Sequence, residues 1–325
     1  MPAESFRVLG SVLRFSGFED VGIEARDFGR MYDCVMGEIF HYTDANALIN
    51  ILRNRTLWAT HILHLNDPNE YTKPRETADR IAREIKIPMK AASHRGLSYV
   101  VCFSRKEDDL NQFRSYADDG KGYCVCFEED RIKEIMELNE FMYSRMELKE
   151  IIYGEKNYDE YLRDVICAEK EKFDADIAKY VKEQRPFTSG SGRLLSFVYS
   201  PDIKIDLAIH CCKSGSYSDE AELRLVVPVF QETYGGPGNS HLTPNYRARS
   251  GRIIPYIELK SKRLPLLHEK QHMPLPIKKI IIGPAHNQNS IEILKDSLRQ
   301  LCLDSGYHDG EIQVVPSNID YRSSR

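Results

Sequence analysis

Two glutamates spaced by one residue, Glu220 and Glu222, open the apolar run 223–227 and carry Arg224 just behind them. If that run is a strand, period-two alternation puts both carboxylates and Arg224 on one face. A carboxylate pair at a strand mouth can stabilise positive charge on a sugar, or it can form a salt-bridge ladder with Arg224 at a sheet edge, and the pair alone does not choose. His41, Tyr42 and Thr43 form a second polar group, placed before residues 44–53, where Leu48, Ile51 and Leu52 recur at helical spacing. The free N–H groups and dipole of a helix start favour an anionic or hydroxyl-rich ligand. The same residue types also serve as a cap, with Thr43 or Asp44 accepting from helix N–H groups and Tyr42 half buried.

Other chemistries find less support. His61 and His64 with Asp67 or Glu70 offer nitrogen and oxygen ligands at short spacing, but they surround the turn signal Asn66-Asp67-Pro68-Asn69 and lack a His-Glu-x-x-His helix, so no metal is expected. No Gly-x-Ser-x-Gly elbow is present. The 8 cysteines include no Cys-x-x-Cys pair, and several lie in apolar, strand-like runs, which reads as reduced core thiols. His210 ahead of Cys211 and Cys212 reads as core packing.

These residues must be positioned by a large fold. With 325 residues, 42% hydrophobic and 29% charged, the chain can bury one big domain or two small ones. A formal net charge of -4 excludes a globally basic nucleic-acid coat or membrane-surface protein. No apolar run approaches a membrane span and the start lacks a secretory layout, so a cytoplasmic protein without a membrane partner is expected. Residues 1–38 read as an N-terminal extension and 39–325 as the domain. Strands are predicted at 56–60, 97–104, 122–127, 222–230, 253–260, 277–283 and 311–315, and helices at 44–53, 76–86, 110–116 and 290–302. Residues 128–192 are rich in Glu and Lys with helical spacing from Tyr158 to Val181, and read as a charged helical insertion whose charges form a solvated face. The class is α+β. The absence of a βαβ rhythm and of a Gly-x-Gly-x-x-Gly turn argues against a doubly wound nucleotide-binding sheet.

Seven motifs occur in order: His41-Tyr42-Thr43; Leu65-Asn66-Asp67-Pro68 with Glu70; Cys102-Phe103-Ser104; Gln112-Phe113-Arg114-Ser115-Tyr116-Ala117-Asp118 with Gly120-Lys121-Gly122; Glu220-Ala221-Glu222-Leu223-Arg224; Ile281-Ile282-Gly283-Pro284; and Ser317-Asn318-Ile319-Asp320-Tyr321-Arg322. Together, from about His41 to Arg322 apart from the charged insertion, they resemble a widespread bacterial family known as a domain of unknown function. That family is in turn similar to a divergent branch of the ADP-ribosyltransferase fold, whose members include DNA- and RNA-modifying toxins. The resemblance implies a single domain with a split central sheet, NAD as substrate and no metal. It implies that His41 holds the nicotinamide ribose with Tyr42 and Thr43 alongside, that Ser104 faces the nicotinamide, and that Glu222 binds the ribose 2′-hydroxyl while Glu220 orients or activates the acceptor. Phe113 or Tyr116 would stack on a ring, and Arg114 would meet the pyrophosphate. The family usually carries Trp where this chain has Phe113 and Leu223, which reduces the area available there.

The implied activity is an NAD-dependent ADP-ribosyltransferase, a bacterial toxin or antiphage effector acting on nucleic acid (RNA or DNA) or protein, with an antitoxin or regulatory protein as a further partner. Between Arg247 and Lys279 there are nine Lys or Arg against two acids, enough for an RNA-binding or DNA-binding strip if they share a face and a scattered solvated surface if they do not. A non-catalytic nucleotide-binding or regulatory module and a plain NAD glycohydrolase are the alternatives.

Overall fold

The computed structural model describes residues 37–67, 69–87, 98–132, 135, 146–182, 201–228, 244–249, 251–260 and 273–323. The extension expected over 1–38 lies outside them up to residue 36, as do Lys262, Arg263 and Lys270 of the basic stretch between Arg247 and Lys279.

The chain enters on β1 (Glu38–Thr43) and turns directly into α1 (Ala45–Asn54). Asp44 is the cap: its carboxylate accepts the Ala47 N–H at 2.8 Å, and Leu48, Ile51 and Leu52 bury one stripe of the helix. Arg55, in the left-handed region at φ 56°, ends α1 and starts β2 (Thr56–His61). There follow α2 (Thr72–Ile85), β3 (Tyr99–Ser104), α3 (Leu110–Tyr116) and β4 (Tyr123–Glu128). The next elements are β5 (Glu147–Glu150), β6 (Ile152–Tyr153), α4 (Glu155–Lys182), α5 (Pro201–Ile209), β7 (Cys212–Lys213) and β8 (Glu222–Val227). The last are β9 (Asn245–Arg249), β10 (Arg252–Lys260), β11 (Ile277–Ile282), α6 (Gln288–Asp304) and β12 (Gln313–Pro316).

Among the described residues ten strands form one mixed sheet with a central path β12-β11-β4-β1-β3-β2-β10-β9, and β8 and β5 branch from it. Its pairs are antiparallel except β11 with β12, so the fold is α+β. The sheet divides at β3. One edge of β3 pairs with β8 over its whole length, Tyr99 with Val227 through Ser104 with Glu222. The other edge is shared: β1 pairs only at Phe40 with Ser104, and β2 only at Val100 and Tyr99. Between those two contacts β1 and β2 part, joined by α1.

On one face of the sheet Val101, Phe103, Val125, Phe127, Leu223 and Leu225 pack against α1 and α6. On the other, Phe40, Tyr42, Cys124 and Cys126 pack against α3, while Val100 and Val226 meet Ile62 and Leu207.

Within the insertion expected over 128–192, the described elements pack onto the rest of the domain. β5 pairs with β8 inside the main sheet, and α4 buries Tyr158, Leu162 and Ile166 against Ile81 of α2 and Ile205 of α5. Most of the charges on α4, among them Glu155, Lys156, Glu171 and Lys172, are exposed as expected, whereas Glu169 is buried. α2 begins four residues earlier than predicted, with Pro74 buried in its first turn, a position that lacks a donor to satisfy.

Candidate functional site

The gap between β1 and β2 opens into a cavity of about 480 Å³, lined on its different sides by His41, Tyr116, Glu220, Glu222, Lys213 and Arg247 among others. That volume falls within the roughly 300–1,000 Å³ of ordinary small-molecule sites.

The acidic side is built from three separate segments. Glu222 is the first residue of β8, and Arg224 shares its face. Arg224 is fully buried; its guanidinium donates to Glu222 Oε1 at 2.9 Å, to Glu70 Oε1 at 2.5 Å and to the His210 carbonyl at 2.8 Å. Lys213, also buried, sends Nζ to Glu222 Oε2 at 2.8 Å and Glu220 Oε2 at 2.6 Å, with Glu70 Oε1 at 3.3 Å. Three carboxyls therefore meet two buried cations at the wall of the cavity. Burial pushes the Glu222 carboxyl up, but the adjacent Arg224 and Lys213 charges outweigh it and hold it well below the usual carboxylate range. Burial acts against the Lys213 charge in the same way, and Glu222 and Glu70 reverse that, leaving its pKa raised.

Glu220 does not stand on the strand as the alternation predicted. It ends the 3-10 turn Gly215–Glu220, and Ala221, left-handed at φ 43°, separates it from β8. The two carboxylates meet because this kink and Lys213 bring them to one ammonium, not because they share a pleat. Glu220 is the more open of the two, with 16% of its side chain exposed against 5% for Glu222. It also accepts a hydrogen bond from the Tyr116 hydroxyl at 2.5 Å, and that oxygen in turn accepts from Asn66 Nδ2 at 2.8 Å. Burial raises the Tyr116 pKa, so the phenol stays protonated and donating.

His41 sits on the opposite face from Glu222, beside Phe103, and reaches the cavity through the gap in the sheet. Its Nδ1 lies 2.9 Å from the Cys102 carbonyl, an oxygen on the edge of β3 that neither β1 nor β2 covers. Since a carbonyl only accepts, Nδ1 carries the proton and Nε2 keeps a lone pair. Burial lowers the ring's pKa, and the imidazole is neutral at pH 7.

The remaining expected residues divide. Tyr42 and Thr43 border the cavity, but both are buried and the Tyr42 hydroxyl is used internally, donating to the Lys106 carbonyl at 2.8 Å and accepting the Asp109 N–H at 3.0 Å. Ser104 also borders it, yet its hydroxyl donates to the Glu220 carbonyl at 2.8 Å and accepts the Lys106 N–H at 3.0 Å, so it fastens the acidic turn rather than facing a ligand. Phe113 is fully buried against Tyr42, edge-on at 5.0 Å between ring centres, and has no free face for stacking. Arg114 points elsewhere: 56% of its side chain is exposed, with Nε 3.6 Å from Asp119 and the guanidinium 5.8 Å from the Tyr321 ring. Successive helix residues turn about 100°, so Arg114 lies roughly 160° around α3 from Tyr116.

Lys213 borders the cavity without having been singled out in the sequence, while Asn66 and Arg247, which stood there in a family motif and in the basic strip, were not expected beside Glu220 and His41. Lys213 was hidden behind Cys211 and Cys212 in what reads as a core run; its signal is a lysine at a position where burial demands a carboxylate partner. His61 and His64 meet edge-to-face at 5.4 Å, and His61 Nδ1 accepts the Leu63 N–H at 3.3 Å. Among the described residues no group of three or more His, Cys, Asp or Glu is arranged to hold a metal ion, and no helix is long and apolar enough to cross a membrane.

Residues 112–225 match the family described as a protein of unknown function, DUF2971. The matched segment runs from α3 through β8 and so contains Tyr116, Lys213, Glu220, Glu222 and Arg224. His41 and Ser104 lie outside it. No curated protein and no solved structure matches the chain.

Proposed function

We propose that this cavity binds NAD and that the chain is an NAD-dependent ADP-ribosyltransferase whose acceptor is a nucleic acid or a protein. The observation that carries the reading is the Tyr116–Glu220–Lys213 arrangement, which fixes a partly open carboxylate in a cavity shared with the neutral imidazole of His41. In the reaction, the ribose C1′–N bond breaks and its electron pair leaves with nicotinamide, whose ring nitrogen becomes neutral. The ribose then carries oxocarbenium charge, and a preorganised carboxylate in a water-poor site stabilises it. The acceptor hydroxyl or amine forms the new bond at C1′ and its proton passes to Glu220. His41 Nε2 is an acceptor for a ribose hydroxyl. Glu222 is saturated by Arg224 and Lys213, so its part is to hold Lys213, and through it Glu220, in place.

The test is nicotinamide release from NAD in cell lysate, or with purified RNA, DNA or protein. Glu220→Gln should lower the rate by about 100-fold or more, the scale of losing one preorganised electrostatic group. Retention of the full rate by Glu220→Gln would remove this assignment. The saturation of Glu222 and Ser104 favours a second reading, a nucleotide-binding module without turnover, which predicts NAD binding with no nicotinamide release. A glycohydrolase would instead release ADP-ribose with no acceptor present.

A further inference from the structure

The side of the cavity away from the acidic cluster is cationic. β9 and β10 pair so that Arg249 lies opposite Arg252, and Arg247 opposite Ile254, which by alternation sets the three arginines on one face. All three line the cavity. Like charges directly opposite each other across a strand pair are destabilising, yet among the described residues no carboxylate lies within ion-pair distance of any of the three. Asp44, the acid whose charge acts on Arg247, has its carboxylate engaged in capping α1. Arg247 is held firmly, its guanidinium 5.4 Å from the Trp58 ring centre and 5.8 Å from that of Tyr256, with Nη2 donating to Thr60 at 2.8 Å. Its Nε, however, is buried with no hydrogen-bond partner. A fixed arginine with an unused buried donor, flanked by two exposed arginines, is an arrangement that an anion completes. Burial and the neighbouring Arg249 lower the Arg247 pKa, consistent with a cation whose compensating charge comes from outside the chain.

We infer that Arg247, Arg249 and Arg252 form an anion subsite that takes phosphoryl groups, with Arg247 as the oriented donor and the other two as flanking charges. The inference concerns binding and does not depend on the reaction proposed above. Two ligands present this chemistry: the diphosphate of a nucleotide held in the cavity, and the phosphodiester of an acceptor strand.

Trp58, the single tryptophan of the chain, stacks on Arg247 and reports the site directly. The experiment titrates the full chain with ADP, adenosine, inorganic pyrophosphate and a single-stranded oligonucleotide lacking a terminal phosphate, read by Trp58 fluorescence and by calorimetry. ADP should bind at least tenfold more tightly than adenosine. Pyrophosphate should compete with it. Arg249→Gln/Arg252→Gln, at two exposed positions, should abolish most of that preference while leaving the thermal unfolding midpoint in place, and Arg247→Gln should abolish the preference as well. ADP and pyrophosphate binding without the oligonucleotide identifies the nucleotide as the source, and competition by the oligonucleotide identifies the strand; both support the subsite. It is overturned if ADP binds no better than adenosine, if the double variant keeps the preference, or if the native chain binds none of the phosphates. ADP binding with no nicotinamide release would keep the subsite and remove the transferase reading.

Discussion

Replacing Arg224 by Met tests the buried ion cluster most directly. The guanidinium is fully buried and serves Glu222, Glu70 and the His210 carbonyl at once. Methionine fills much of the same volume, so the substitution chiefly removes charge and donors. Glu70 and Glu222 would then depend on Lys213 alone, which already serves Glu220. Removing one partner of a buried pair costs about 3–5 kcal/mol, because the charge left behind has lost its compensation. At about 2–4 °C per kcal/mol for a domain of a few hundred residues, the midpoint should fall by roughly 10 °C. The assay is urea and thermal unfolding followed by far-ultraviolet circular dichroism and Trp58 fluorescence. In the double variant Arg224→Met/Glu222→Gln the loss should be smaller than the sum of the two single losses by more than about 1 kcal/mol, since the orphaned charge is gone. A loss below about 1 kcal/mol for Arg224→Met, or additivity within about 0.5 kcal/mol, would refute the claim that these residues act as one unit.

Other consequences are open to measurement. Ser104→Ala removes the hydroxyl that joins the Glu220 carbonyl to the Lys106 N–H and should cost about 1–2 kcal/mol in urea unfolding, with a fall in any NAD turnover that exceeds its effect on NAD affinity. Gly122→Ala would place a Cβ 2.3 Å from the Thr43 carbonyl and 2.8 Å from Ala117 Cα, backbone on two sides, and should cost about 3 kcal/mol or more or abolish soluble expression. Burial lowers the His210 pKa to about 4, below its unfolded value, so the stability it confers is whole above pH about 6.5 and is lost as pH falls toward 4. That loss should be of order 3 kcal/mol, and urea midpoints that do not move between pH 7 and pH 4.5 would contradict it.

The parts of the fold that were legible in sequence are those in which local pattern and tertiary packing agree. α3 falls at Leu110–Tyr116 as predicted, with Asp109 as its cap, and α1 follows its own apolar stripe. β5 was invisible because Glu-Leu-Lys-Glu has no strand pattern; it is recruited by pairing with β8, more than seventy residues away. The candidate site divides in the same way. Glu222, Glu220 and His41 stood out by type and spacing, but Lys213, which ties the two glutamates together, carries no local signal because its partners come from two other segments, Glu70 and the Glu220–Glu222 turn. The resemblance grouped Phe113 and Arg114 with Tyr116, but Phe113, on the same face of α3 as Tyr116, lies one layer deeper in the core, and Arg114 points roughly the opposite way.

The way β1 and β2 share one edge of β3 makes the width of the cavity separable from the strength of the sheet. Each of the two strands meets β3 through only one or two residue pairs, and the span between them is bridged by α1, whose 10 residues cover roughly 15 Å. The ladders that carry the fold, β3 with β8 and β1 with β4, lie outside that bridge. The aperture is therefore set by where those short contacts fall on β3, at Ser104 and at Val100, roughly 13 Å apart along the strand. A substitution that extends either contact would narrow the entrance while leaving the two long ladders in register.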